Sequence, residues 1–260
     1  MKKPAQKTPS IQSLDRGLVI LEAVAKAGDP VPLGQLTDLL GIDRSSAFRL
    51  ANTLKRRGFL ANPGGRKDYI LGPSIWRLSR QYDWSNMLIG ICDQHLKLLA
   101  SKTNETAHLA VREGKQALFI DHASINHMIA VTGQTGELVP LHCTAHGKAL
   151  LADFGIAELK VLFGSAPLQP RTPRSVVSLE QLAKACAEIK VQGFATDDGE
   201  FQEGIRCVAA PIRDKDGRII GSLGISAPLT RFPKERYHVC ALQVSKVARQ
   251  VSALLSAQAE

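Results

Sequence analysis

Apolar residues recur at spacings of three and four over residues 11–27, where Leu14, Leu18, Leu21, Val24 and Ala25 fall on one side. That period predicts an amphipathic helix. Ser13 or Asp15 near its start offers a cap, and Gly28-Asp29-Pro30 stops it. A second, short helix is expected over 33–40, with Leu36, Leu39 and Leu40 as its apolar side. Gly41 makes a tight turn, and Asp43 or Ser45 caps a third helix running to about residue 57. Here Ala47, Leu50, Ala51 and Leu54 form a stripe suited to a core. Ser45, Arg49, Asn52 and Arg56 form a stripe suited to solvent or a ligand. Residues 58–60 and 69–71 then read as strands flanking a turn at 63–67 with a basic tip. Helix, helix, turn, helix and hairpin is the order of a winged helix-turn-helix, assigned to residues 10–72 behind a disordered tail at 1–9.

From Pro73 the pattern changes. A linking helix is expected within residues 73–85, and a longer amphipathic helix over 87–101. After it the period drops to two: 107–111 and 117–120 flank Glu113-Gly114-Lys115 as a hairpin, and 128–131 reads as a further short strand. Helices are expected at 146–153, 156–163 and 179–192. Strands return at 205–212 and 219–226 across an Asp216-Gly217 turn, and a last helix spans 234–255. The expectation for residues 86–260 is an α+β domain with a five- or six-stranded antiparallel sheet and flanking helices. No internal repeat is visible.

Charge sharpens this division. Residues 1–80 hold 14 Lys and Arg against 6 Asp and Glu, a surplus of 8, whereas the other 180 residues hold 19 against 18. A basic module joined to a nearly neutral one points to polyanion binding by the first and another task for the second. An α-helix fits the DNA major groove, and the second helix of a helix-turn-helix enters it. The groove-facing residues would be Ser45, Ser46, Arg49, Asn52 and Thr53. Arg reads guanine at two points and Asn reads adenine, while Ser and Thr are small donors suited to phosphates. Arg44, Arg56, Arg57, Arg66 and Lys67 would pair with phosphates, adding affinity without base choice.

Other chemistry is thinner. Apolar content of 44% with 22% charged residues suits a globular protein, and no apolar run reaches the roughly 20 residues of a membrane span. The reading is a cytoplasmic protein with no membrane partner. Cys92, Cys143, Cys186, Cys207 and Cys240 are scattered without a CxxC pair, as expected of reduced, mostly buried thiols. Among His122, His127, His142, Cys143 and His146, the pair His142 and His146 is spaced to chelate a metal if helical. No HExxH motif accompanies it, and no metal or other cofactor is expected. Cys207 beside a histidine would be a nucleophile pair, but no third orienting residue is evident, so an enzyme is the remote alternative. A DNA-packing protein without a ligand is another.

Several blocks resemble the IclR family of bacterial transcriptional regulators. They are Ser10-Ile11-Gln12-Ser13-Leu14-Asp15-Arg16-Gly17-Leu18, Phe48-Arg49-Leu50 leading to Leu54-Lys55-Arg56-Arg57-Gly58-Phe59-Leu60, the run from Pro140 to Ala152, and the stretch from Gly193 through Asp197, Glu200, Gly204 and Cys207 to Ser226. The resemblance covers about residues 10–255. It implies a GAF-like effector-binding fold, small organic or aromatic acids as effectors, double-stranded operator DNA as partner, and a homodimer or dimer of dimers. Matching the blocks puts Ala145, His146, Asp197, Cys207 and Ser226 at polar or backbone contacts of the pocket, with Met128, Val131, Val139 and Ile205 as its apolar wall. Two departures stand out: Gly224 occupies a pocket position where some relatives carry serine, and His146 one that is often small. Unpaired N–H groups at the helix start near His146 suit a carboxylate. The function so implied is a repressor whose operator affinity a small organic acid modulates, with a ligand-responsive activator as the alternative.

Overall fold

A computed structural model describes residues 11–65, 67–79, 83–125 and 134–257. The chain divides into two compact units, with the boundary between Asp83 and Trp84. No described helix is long and apolar enough to cross a membrane.

The first unit contains α1 (Gln12–Ala27), α2 (Leu33–Leu40), α3 (Arg44–Arg56), β1 (Leu60–Ala61), β2 (Ile70–Leu71) and α4 (Pro73–Ser79). Ile20, Val24, Val31, Leu36, Ala51, Leu60 and Tyr69 form its core. The helical period of α1 is as expected, and Val24 and Leu21 of its expected apolar side pack in or against the core, but Leu14 and Leu18 do not. Gly17, Ile20 and Val24 face inward, whereas Leu14 and Leu18 are 61% and 51% exposed. Neither Ser13 nor Asp15 caps it: Ile11 holds the N-cap position without a side-chain bond, and both polar residues lie inside the helix. The hairpin is shorter than its pattern suggested. β1 and β2 pair Leu60 with Leu71 and Ala61 with Ile70, and Tyr69 instead bridges to Val31 ahead of α2, which ties the hairpin to the helices.

The second unit runs α5 (Asp83–Thr103), β3 (Thr106–Glu113), β4 (Gln116–Ala123), β5 (Leu138–Pro140), α6 (Ala145–Leu150), α7 (Ile156–Phe163), α8 (Leu179–Gln192), β6 (Ala195–Asp198), β7 (Ile205–Arg213), β8 (Ile219–Pro228) and α9 (Lys234–Ala257). The strands form one six-stranded antiparallel sheet ordered β5-β4-β3-β8-β7-β6, the α+β architecture expected. β5 and β6 are strands that the period of two did not mark, being too short to show an alternation. The strand expected at 128–131 lies outside the described residues. α6 stops at Leu150, short of the expected 153.

Alternation along the strands gives each face of the sheet its own core. Leu109, Val208, Leu223 and Ile225 meet α5 and α9 on one side. On the other, Ala195 and Ala209 meet Ala145, Ala149 and Ala152 around α6, while Ala110, Phe119 and Val139 pack with residues of α7 and α8. The alanine-on-alanine contact lets α6 lie close to the sheet, and the cavity described below opens beside it.

Candidate DNA-reading surface and ligand cavity

Asp43 fixes the start of α3. Its Oδ1 accepts from the Ser46 N–H at 2.9 Å and from the Ser45 hydroxyl at 2.5 Å. These bonds hold its carboxyl well below the usual carboxylate range. Of the two caps expected, Asp43 does the capping, and Ser45 is engaged in supporting it. Arg44, Ser45, Arg49, Asn52, Thr53, Arg56, Arg57 and Lys67 are exposed, and Ser46 is half-buried. Arg66 lies outside the described residues. Two hydroxyls differ from expectation. The Ser45 proton goes to Asp43, and the Thr53 hydroxyl donates to the Arg49 carbonyl at 2.8 Å. A phosphate oxygen only accepts, so neither hydroxyl serves it without first leaving its partner.

Between α3 and the hairpin lies a cleft lined by Arg44, Ser45, Phe48, Asn52, Lys55 and Lys67, among others. Phe48, 51% exposed, and Lys55 are not among the residues the sequence pattern marks, because both lie off the polar stripe of Ser45, Arg49, Asn52 and Arg56. A large apolar residue off the Ala47–Ala51 stripe was the available signal. Phe is a type that contacts the thymine methyl in the major groove.

In the second unit, strand register assembles the other site. Asp197 of β6 pairs with Cys207 of β7, Cys207 with Ser226 of β8, and Ser226 with Thr106 of β3. These residues form a row across the sheet. The neighbouring row runs His122, His108, Gly224, Ala209, Ala195. Over these rows sits a cavity of about 90 Å³. Val139, Ala145, His146, Asp197, Ile205, Cys207 and Ser226 line it, as do His108, Phe119 and Glu137, which the sequence reading did not single out. Met128 and Val131 lie outside the described residues. Gly224 is in the sheet beside the cavity and is not among its lining residues. A Cβ there would fall 2.4 Å from the Val208 carbonyl oxygen and 2.7 Å from the Ala209 methyl, so this backbone has no room for the serine of some relatives.

The cavity's polar groups are unusual. His146 is 2% exposed, and its Nδ1 lies 3.0 Å from the Ser222 hydroxyl. His108 is 1% exposed and packs between the rings of His122, Phe119 and His146 at centroid distances of 6.3, 5.0 and 6.1 Å. Burial drives both imidazoles down to about 3, with the facing histidines adding to the effect at His108. Both are therefore neutral at physiological pH. Among the described residues, His108 Nδ1 and His146 Nε2 are buried without a hydrogen-bond partner. Asp197 is 2% exposed, and burial raises it to about 7 even though its Oδ1 accepts from the Glu200 N–H at 2.7 Å.

The metal and nucleophile alternatives meet specific geometry. His142 precedes α6, so it is not one helical turn from His146 on a shared face. Its Nε2 instead bonds the Gln169 carbonyl at 2.9 Å. Among the described residues, no group of three or more His, Cys, Asp or Glu side chains is arranged to hold a metal, and His127 lies outside them. Cys207 donates to the Ser226 hydroxyl at 3.2 Å. Burial pushes its thiol far up, opposite to what a thiolate nucleophile requires. The other four cysteines are free and buried.

The helix start near His146 is partly occupied. The Thr144 hydroxyl oxygen accepts from the Gly147 N–H at 3.0 Å and donates to the Pro140 carbonyl at 2.7 Å. One of the donors expected to face a carboxylate is therefore already capped.

Comparison with known proteins agrees in both units. Residues 13–64 match the IclR helix-turn-helix domain, and residues 84–253 match the bacterial transcriptional regulator IclR C-terminal domain. The transcriptional repressor IclR of Escherichia coli K12 is 28% identical over 250 residues, covering 95% of this chain and 91% of that protein. The HTH-type transcriptional regulator XynR of the same strain is 30% identical over 230 residues, covering 86% and 88%. The crystal structure of an IclR homologue from Microbacterium hydrocarbonoxydans complexed with 4-hydroxybenzoate shares the fold, with a TM-score of 0.81 at 22% identity over 94% of this chain and 98% of the other. A helix-turn-helix unit followed by a six-stranded α+β unit, each matched to its counterpart over most of its length, shows that this chain belongs to the IclR family of bacterial transcriptional regulators.

Proposed function

We propose that this regulator is a repressor: α3 reads operator DNA through its exposed face, and the cavity beside α6 takes a small organic acid that changes operator affinity. The observation that carries the reading is the pairing of an exposed, basic recognition helix with a separate cavity in the second unit, lined by two imidazoles that each have a buried nitrogen without a partner. Arg49 and Asn52 are the base-reading residues, with Phe48 as an apolar contact. Arg44, Arg56, Arg57 and Lys67 bind phosphates. Domain limits of 10–72 for the DNA-binding part and 86–260 for the effector part, joined by 73–85, follow from this reading. The protein acts in the cytoplasm as a homodimer or a dimer of dimers, so that two helices read two half-sites about one helical turn, or a multiple, apart.

The relatives named repressors support the sign of regulation, and the relative crystallised with 4-hydroxybenzoate supports an acid as ligand. The effector domain binds its ligand without converting it, in keeping with a Cys207 thiol held protonated by burial. The effector acts only through its differing affinity for two arrangements of the protein, typically about 1–3 kcal/mol of coupling.

The test is operator selection from a random duplex pool, followed by binding assays. Arg49→Ala is expected to weaken the selected site roughly ten- to a hundred-fold while leaving random-sequence DNA nearly unaffected. Lys67→Ala weakens both alike and lowers the salt slope by about 1. Unchanged preference in Arg49→Ala overturns the assignment of α3 as the base reader.

A further inference from the structure

The described lining of the cavity holds one buried acid, Asp197, the exposed Glu137 and neutral imidazoles, and no fixed positive charge. Its described lining includes Glu137 and Asp197 but no Lys or Arg. The groups facing the imidazoles come from every surrounding element. They are His108 on β3, His122 on β4, Glu137 ahead of β5, Asp197 on β6, Cys207 on β7, and His146 on α6 itself. Lys148, also on α6, is the nearest cation by sequence, and its Nζ is already bound to Glu200 Oε1 at 2.5 Å.

A carboxylate entering such a site would bring a second negative charge beside the buried Asp197 in a poorly solvated space, which is strongly unfavourable. The neutral acid has no such penalty. Its O–H donates and its carbonyl oxygen accepts, so it suits the buried Nδ1 of His108 and Nε2 of His146 in either tautomer. A carboxylate with an imidazolium has the same net charge. In both cases one ligand anion and one proton from solvent give one complex.

We propose that the cavity binds its effector as a short monocarboxylic acid together with one proton, so that operator control by this regulator depends on pH as well as on acid concentration. This rests on the reading of the cavity as the effector site. The volume of about 90 Å³ is well below the roughly 150 Å³ of a cavity that takes benzene, which limits the ligand to a short chain. The low values of His108 and His146, about 3, mean that neither carries the required proton beforehand. Above the acid's own value, about 4–5 for a simple carboxyl and lower for an α-keto acid, the apparent Kd then rises about tenfold per pH unit.

The test uses the full-length protein labelled with 15N at histidine and titrated with propionate, pyruvate and the neutral isostere propionamide. Between about pH 6 and pH 8, the Kd for propionate and pyruvate is expected to rise about a hundredfold, while that for propionamide changes less than about threefold. Calorimetry in two buffers of different ionisation enthalpy reads an uptake of about one proton per acid bound. The signals of His108 and His146 move with binding. Acids that shift these signals with a pH-independent Kd and no proton uptake overturn the proposal and leave the effector site standing. Binding that leaves both histidines unmoved, or no binding of any of the three probes at about 10 mM and pH 6, overturns the proposal together with the cavity's role for short acids.

Discussion

Lys148→Met is expected to destabilise the second unit by about 3–5 kcal/mol, the usual cost of removing one partner from a buried ion pair. The side chains of Lys148 and Glu200 are only 6% and 14% exposed and meet at 2.5 Å. Without the ammonium group, Glu200 remains enclosed, and its Oε2 already has no partner among the described residues. The surrounding loop cannot simply swing outward. The Glu200 carbonyl accepts from the Ser175 and Thr172 hydroxyls at 2.6 and 3.1 Å, and its N–H donates to Asp197. Because the loop is held from both sides, the loss falls mainly on the stranded charge. The double variant Lys148→Met with Glu200→Gln should recover more than half of it. Urea midpoints of the wild type, both single variants and the double variant provide the cycle. A loss below about 1 kcal/mol in Lys148→Met would mean that water reaches the pair and that the burial argument fails.

Gly147→Ala is expected to cost about 3 kcal/mol or more, at the upper end of overpacking. An added Cβ would lie 2.3 Å from Leu141 Cα and 2.4 Å from its carbonyl oxygen, and both are backbone atoms. Leu141 is fully buried, and Thr144 bonds to both Pro140 and Gly147. Neither side of the contact is free to give. Gly90→Ala is the control. Gly90 lies in the interior of α5 with open space where a Cβ would go, so the substitution should be neutral or stabilising by up to about 1 kcal/mol. Comparable thermal midpoints for the two variants would refute the steric account of Gly147.

Most of the first unit was legible from its sequence because a surface helix shows its buried side as a repeating spacing. The helix over 33–40 and the apolar stripe of α3 are where that spacing put them, with Leu36 buried and Leu40 against the core, although Leu39 of the expected apolar side is 53% exposed. α1 shows the limit of the method. Leu14 and Leu18 share a period with the buried residues, but Ile20 and Val24 take the core, because α2 and α3 pack on that side. Periodicity identifies a helix; its neighbours select the face. The cap of α3 shows a similar limit. Asp43 and Ser45 were equivalent candidates by residue type, and only the chain direction at the helix start makes Asp43 the acceptor and Ser45 one of its donors.

In the second unit, the sequence alone determined the types of residue available to the cavity, the helical and strand periods around them, and the family resemblance that nominated Asp197, Cys207 and Ser226. It did not bring them together. Antiparallel register across β6, β7 and β8 turns three residues from distant stretches into one row. A slip of one residue would turn each to the opposite face. The same register sets His108 beside His122 and opposite Gly224, and so brings in a histidine that no local pattern had marked. Tertiary structure also decided the electrical character of the site. Enclosure by α6 removes water from His108, His146 and Asp197, and this favours their uncharged forms. Residue types are properties of single positions, whereas register and desolvation belong to the packed sheet and helix, and these two factors made the cavity.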